Sequence, residues 1–169
     1  MSLYVQWVNK IKAEATSAWL TDAQRSAYDQ IVNRWQSTPF VCLFGASGCG
    51  KSFIARTLVR EKGYVYSDEL RCVQQGSQQV VIDGEEYTRL MRSFALLLGL
   101  GRVVVLMSRP PSDRIPTVCL SLGERDIRQF QHNLTSYAVL DHFLVTPDGA
   151  DLGRILRAEA IARGEAACR

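Results

Sequence analysis

The stretch Gly45-Ala46-Ser47-Gly48-Cys49-Gly50-Lys51-Ser52-Phe53 decides how this 169-residue chain is read. Ahead of it runs the apolar segment Pro39-Phe40-Val41-Cys42-Leu43-Phe44, and behind it Ile54-Ala55-Arg56-Thr57-Leu58-Val59-Arg60. The first predicts a buried strand and the second a helix. A strand that delivers a glycine-rich loop to a helix start is suited to hold an anion. Glycines let the loop curl so that successive N–H groups point inward, and the first helical turn adds unpaired N–H groups and the positive end of its dipole. Lys51 is spaced to reach the outer phosphates of a nucleotide, and the Ser52 hydroxyl to hold Mg²⁺. With glycine at ~7% of residues, Gly45-x-x-x-x-Gly50-Lys51-Ser52 arises by chance in about one chain in a couple of hundred of this length. Gly45, Ala46, Ser47, Gly48, Cys49, Gly50, Lys51 and Ser52 are therefore the predicted nucleotide-binding residues.

Working outward, residues 3 to 15 carry Leu3, Trp7, Val8 and Ile11 and predict a helix. Thr21-Asp22-Ala23-Gln24 has capping-box spacing, and Tyr28, Ile31, Val32 and Trp35 follow on one helical face. After the loop helix, Gly63 resets the chain. Tyr64-Val65-Tyr66 predicts a short second strand ending at Ser67-Asp68-Glu69. Gln79-Val80-Val81-Ile82-Asp83 predicts a third, buried on both faces. A helix follows, with Tyr87, Leu90, Met91, Phe94 and Leu97 or Leu98 facing the core. Residues 102–108 and 116–120 predict the fourth and fifth strands. Beyond residue 122 the pattern turns mainly helical: Ile127, Phe130 and Leu134 mark one helix, and Leu152, Ile155 and Leu156 another after the Thr146-Pro147-Asp148-Gly149 turn. Tyr137 to Val145 is apolar enough for a helix or a further strand. The expectation is an α/β fold: a parallel sheet of about five strands flanked by helices, with ligands at the strands' carboxyl ends. The chain divides into a helical extension over 1–37, a nucleotide-binding core over 38–122 and a mainly helical segment over 123–169.

The apolar share of 47% and charged share of 22% are ordinary for a globular chain. Its nearest approach to a membrane span, Phe94-Ala95-Leu96-Leu97-Leu98, is cut off by Gly99 and Gly101. Met1 to Trp7 lacks the basic-then-apolar layout of a signal peptide, so a cytoplasmic location is the default expectation. Five scattered cysteines with no C-x-x-C pair predict neither a disulfide framework nor a zinc site. Cys42 and Cys119 lie in apolar runs and are expected to be buried. Cys49 lies inside the loop, as a variable position of the motif or as a redox-sensitive one. The net charge of +3 is spread without a dense basic cluster, which is compatible with nucleic-acid binding but does not point to it.

The apolar run Val80-Val81-Ile82 ends in Asp83, about thirty residues after the loop. A carboxylate at a strand tip beside a phosphate loop is placed to hold Mg²⁺ through its water shell, with Ser52 supplying the other protein oxygen. Taken together, Gly45 to Ser52, Asp83 and Ser108 at the fourth strand's end resemble a P-loop NTPase. The likeness is to the AAA+ and related ATPase branch, with an additional strand after the Asp83 strand, and covers roughly residues 38 to 122. It implies a role for Glu85 or Glu86 in orienting the attacking water, although Gly84 displaces the acid by one position. Either Glu is equally read as a solvated first-turn residue favoured by the helix dipole. The resemblance further implies that Ser108 senses the terminal phosphate and that Arg109 or Arg114 acts as an arginine finger towards a neighbouring copy, the alternative being a surface loop. Arg154, in Gly153-Arg154-Ile155-Leu156, resembles the lid arginine of AAA+ proteins, and the carboxyl-terminal helices make at most a reduced lid.

These readings lead to an Mg²⁺-dependent ATP-binding protein, a slow ATPase whose nucleotide state controls a protein partner or a homo-oligomer. No guanine-specifying N-K-x-D motif is present, which leans the base towards adenine. Trp7, Trp19 and Trp35 either form a docking surface or pack on the sheet. A small-molecule or nucleotide kinase is the alternative, with Asp68 or Glu69 acting on an acceptor hydroxyl. A binding-only nucleotide module within a larger complex is a third.

Overall fold

The computed structural model describes residues 2–14, 16–34, 38–76, 78–83, 93, 95–111, 115–146 and 149–167. In chain order these form helices α1 (Leu3–Glu14) and α2 (Asp22–Asp29), strand β1 (Phe40–Gly45), helix α3 (Lys51–Lys62) and strand β2 (Val65–Ser67). Strands β3 (Gln79–Asp83), β4 (Arg102–Met107) and β5 (Thr117–Leu120) follow, then helices α4 (Glu124–Ser136) and α5 (Leu152–Ala167). The five strands make one sheet in the order β2-β3-β4-β1-β5, every pairing parallel.

Burial follows from that order. The interior strands present Val41, Cys42, Leu43, Val80, Val81, Ile82, Val104 and Val105 with no exposed surface, because helices and loops cover both faces. One face packs Val41, Leu43, Val81, Val104 and Val118 against Tyr28 and Ile31 and against Ile54 and Leu58 of α3. The other packs Phe40, Cys42, Val80, Ile82 and Val103 against Leu70, Val73 and Ala95. Burial of Cys42 pushes its thiol up to about 12. Cys119 departs from expectation and is exposed. Strand β5 lies at the sheet edge, so Val118 and Leu120 point inward while the alternate side chain meets solvent.

A third apolar cluster lies off the sheet. It joins Trp7 of α1 and Trp19 to Ile127, Phe130 and Leu134 of α4 and to Leu152, Ile155 and Leu156 of α5. Trp7 and Trp19 are thus buried against the carboxyl-terminal helices and not on the sheet, and Trp35 falls outside the described residues. Trp19 stacks on Tyr137, with ring centroids 4.3 Å apart and planes 3° from parallel. Residues 137 to 145, readable as helix or strand, form turns and bends instead. Ala138 takes a left-handed φ of 51° just past α4, which ends the helix, and a side chain serves the backbone that follows. Buried Glu159 accepts from the N–H groups of Leu144 and Val145 and pairs with Arg163 at 2.8 Å.

The predicted Thr21 capping box is formed: the Thr21 N–H donates to Gln24 Oε1 at 3.1 Å and the Gln24 N–H to Thr21 Oγ1 at 3.4 Å. Strand β2 starts one residue later than expected, at Val65. Of the helix expected after β3, Tyr87, Leu90, Met91 and Phe94 lie outside the described residues. Residues 93 and 95–97 are helical; Leu97 is exposed and Leu98 half-buried. Among the described residues no helix is long and apolar enough to cross a membrane.

Candidate functional site

The glycine loop leaves the carboxyl end of β1 between β4 and β5. Here the chain order of the strands reverses and a crevice opens at the carboxyl ends. Gly50 caps α3 at φ 92° and Gly48 sits at φ 75°, both in the left-handed region where a side chain is strained. Space is lacking as well. A Cβ on Gly50 would fall 2.2 Å from Gln24 Nε2, and one on Gly48 would fall 2.0 Å from Asp151 Oδ1.

Three parts of the chain hold the loop from outside. The buried Gln24 of α2 donates from Nε2 to the Cys49 carbonyl at 3.2 Å. The Leu152 N–H, at the start of α5, donates to the Gly48 carbonyl at 2.9 Å. Lys51 turns back and donates from Nζ to the carbonyls of Gly45 and Ala46, each at 2.8 Å. The lysine thereby places its cation beside the loop, and among the described residues its hydrogen-bond partners are carbonyls and not carboxylates. Burial pushes the Cys49 thiol up, against the pull of Lys51.

Beside the loop, Ser52 Oγ donates to Asp83 Oδ2 at 2.7 Å. The residues meet because α3 starts at the end of β1 while β3 ends two strands away, at the same sheet end. Tyr66 of β2 donates its hydroxyl to the same carboxylate oxygen. Burial, and then the hydrogen bond to Asp83, raise the tyrosine above its ordinary value, so it stays a donor at neutral pH. The Arg56 guanidinium lies 3.9 Å over the Tyr66 ring. A hydroxyl and a carboxylate are hard oxygen donors of the kind Mg²⁺ takes. Mg²⁺ needs only one or two protein ligands when phosphates supply the others. Among the described residues no group of three or more His, Cys, Asp or Glu could hold a metal by itself.

These groups line one side of a cavity of about 530 Å³, within the range of small-molecule sites. Ser47, Gly48, Gly50, Lys51, Ser52, Asp83 and Ser108 of the predicted residues all face it. Its other side is mostly apolar, made by Tyr4, Val8, Trp19, Phe130, Leu152 and Leu156, with the Lys12 side chain and the Asn133 amide among them. Arg109 and Arg154 are exposed and do not line the cavity, although Gly153, just before Arg154, and Leu156, two residues after it, do. Glu85, Glu86 and Arg114 lie outside the described residues. Asp68 is exposed, Glu69 hydrogen-bonds Arg71, and neither lines the cavity. Gln24, Arg56, Tyr66, Asp151 and the apolar wall went unassigned in the sequence. Only Gln24 carried a local signal, as the last residue of the Thr21–Gln24 capping box, and that signal does not reveal its contact with the loop. No protein-family model matches the chain, and no curated protein matches it.

Proposed function

We propose that the chain is an Mg²⁺-dependent ATP-binding protein of the P-loop NTPase kind, resembling the AAA+ and related branch, and a slow ATPase whose nucleotide state regulates a protein partner. One observation carries the reading: a loop with left-handed Gly48 and Gly50 opens into α3 beside the Ser52–Asp83 hydrogen bond, on the wall of a cavity whose opposite wall is apolar. The position of β4 between β1 and β3 supports it, as the additional strand after Asp83 that the resemblance implies.

In this reading the loop N–H groups and the amino-terminal end of α3 receive the phosphates. Lys51 exchanges its two carbonyl partners for outer phosphate oxygens. Mg²⁺, when bound, neutralises phosphate charge, and Ser52 and Asp83 are the residues that would hold it. The apolar wall accepts the base, and the absence of an N-K-x-D motif favours adenine. Ser108 faces the cavity as a sensor of the terminal phosphate, and Glu85 or Glu86 orients the water. Arg109 or Arg114 serves as a finger in a homo-oligomer, and Arg154 as a reduced lid's arginine. Nucleotide reaches a partner through α5: phosphate entering the loop adds negative charge next to Asp151, whose neighbour Leu152 is hydrogen-bonded to Gly48. A kinase acting through Asp68 or Glu69 is less well supported, since both stand away from the cavity.

The test is ATP binding and phosphate release with Mg²⁺ for the intact protein, Lys51→Ala and Glu85→Gln. The expected result is turnover lost in both variants, with ATP still bound by Glu85→Gln. Binding that depends on Lys51 without turnover in any of them removes the ATPase claim, and no ATP binding by the intact protein removes the nucleotide reading.

A further inference from the structure

We infer that Tyr66, braced by Arg56, is the positioning residue that orients Asp83 for a divalent cation at this site, an inference that rests on the nucleotide reading above. Three observations from different elements converge on it. Tyr66 and Ser52 both donate to one oxygen of Asp83, Oδ2. Two hydroxyls on one oxygen set the plane of the carboxylate, and among the described residues no hydrogen bond to the other oxygen, Oδ1, accompanies them. Tyr66 is itself held: its ring carries the Arg56 guanidinium at 3.9 Å, and the backbone of β2 pairs it in register with Val81, two residues before Asp83. Arg56, Tyr66, Asp83 and Ser52 also line the same cavity, so the arrangement faces the place where ligand arrives.

The chemical consequence is a division of labour. Ser52 is the hydroxyl the cation needs, so cation binding competes with the Ser52–Asp83 hydrogen bond. Tyr66 is not spaced as part of the loop pattern and keeps its hold on Asp83 when Ser52 is drawn away. Without it the carboxylate would turn freely at the strand tip, and ordering it would fall to the cation. Partners that orient a metal-binding group in this way set affinity by about 10- to 100-fold when removed. The guanidinium has a second effect, since it places positive charge beside a site meant for a cation while stiffening the ring; stacking on Tyr66 keeps that charge on the ring face instead of on Asp83.

The experiment titrates Mg²⁺ against binding of a fluorescent ATP analogue, with a metal-free titration of the same protein alongside. It compares the intact protein, Tyr66→Phe and Arg56→Gln. For Tyr66→Phe the Mg²⁺ concentration at half-effect should rise by about 10-fold or more, with metal-free affinity for the analogue within about twofold of the intact protein. Arg56→Gln, which keeps the hydroxyl but frees the ring and removes a positive charge beside the cation, should shift the half-effect by less than Tyr66→Phe does. Unchanged Mg²⁺ dependence in Tyr66→Phe, where the intact protein responds to Mg²⁺, overturns the inference and leaves the nucleotide reading standing. Equal loss of metal-free and Mg²⁺-dependent binding marks a merely structural tyrosine and also overturns it. Failure of the intact protein to bind the analogue at all overturns the nucleotide reading and this inference with it.

Discussion

The two walls of the cavity are built in opposite ways. The polar wall comes from short segments at the ends of β1, β3 and β4, where Ser47 to Ser52, Asp83 and Ser108 are delivered by a rigid parallel sheet. The apolar wall comes from α1 and the turn around Trp19 on one hand and from α4 and α5 on the other, two groups separated by more than a hundred positions that meet in the third apolar cluster. Sheet hydrogen bonds place the first wall to within a register, whereas side-chain packing places the second. The polar wall should therefore tolerate changes in the helices that leave the Gln24 and Leu152 bonds to the loop in place, and the apolar wall should answer to changes that leave the loop alone.

The strongest way to break this contrast is Trp19→Ala, which removes a buried ring stacked on Tyr137 and a face of the apolar wall. It should lower unfolding free energy in urea by about 3–5 kcal/mol. It should also weaken ATP far more than inorganic triphosphate, which needs only the polar wall. Equal weakening of both ligands would mean that the walls are not separable. Lys51→Ala makes the converse cut. Loss of one charge-assisted partner, at about 1.5–3 kcal/mol, should reduce affinity for ATP and for triphosphate alike, by about 10- to 150-fold, measured by calorimetry.

Asp126 tests the seam where α4 meets α2. Its carboxylate accepts from the Ala23 N–H at 2.9 Å and the Gly123 N–H at 3.0 Å. Burial works against its charge, but the bonds from Gly123 and Ala23 outweigh burial and hold the carboxyl below its ordinary range. Glu61 is lowered in the same way: burial opposes the charge, and bonds from the Ser17 N–H and the Tyr28 hydroxyl prevail. The folded chain thus binds fewer protons than the unfolded one over that range. The stabilisation is fully present above the unfolded values near pH 4 and is lost as pH falls through the lower folded values. Asp126→Asn should cost about 1–2 kcal/mol at pH 7 and flatten part of the acid limb in urea titrations from pH 7 to 2. An unchanged acid limb would show that the seam carries no such linkage.

The smallest effect is expected where the walls touch. Asp151→Asn removes a negative charge next to Gly48 and keeps an acceptor for the Arg154 N–H, now 2.9 Å from Oδ1. ATP should bind about twofold to fivefold more tightly, an advantage that fades as salt is raised. Weaker binding would show instead that the carboxylate helps to shape the loop.

How much was legible beforehand follows the same division. The loop, the Thr21 capping box, β3 with its terminal Asp83 and the marker residues of α4 all depend on neighbours within a few positions, and their spacing carried them. Cys119 was misread because its run looks buried until strand order puts β5 at the edge. Residues 137 to 145 were undecided because their apolar residues serve a cluster, while Glu159 and the left-handed Ala138 dictate their backbone.

By itself, then, the sequence determined an alternating parallel fold, the place of the glycine loop between β1 and α3, and the pairing of a hydroxyl with a strand-tip carboxylate. These rest on backbone geometry and on periods of two and 3.6 residues, which are local properties. Only the tertiary structure decided that Gln24 and Leu152 grip the loop's carbonyls, that Tyr66 shares Asp83 with Ser52, and that two tryptophans face α4 and α5 instead of the sheet. Those contacts join residues far apart in the chain. They are chosen by which surfaces remain to be buried once the sheet has formed, and no local spacing encodes that choice.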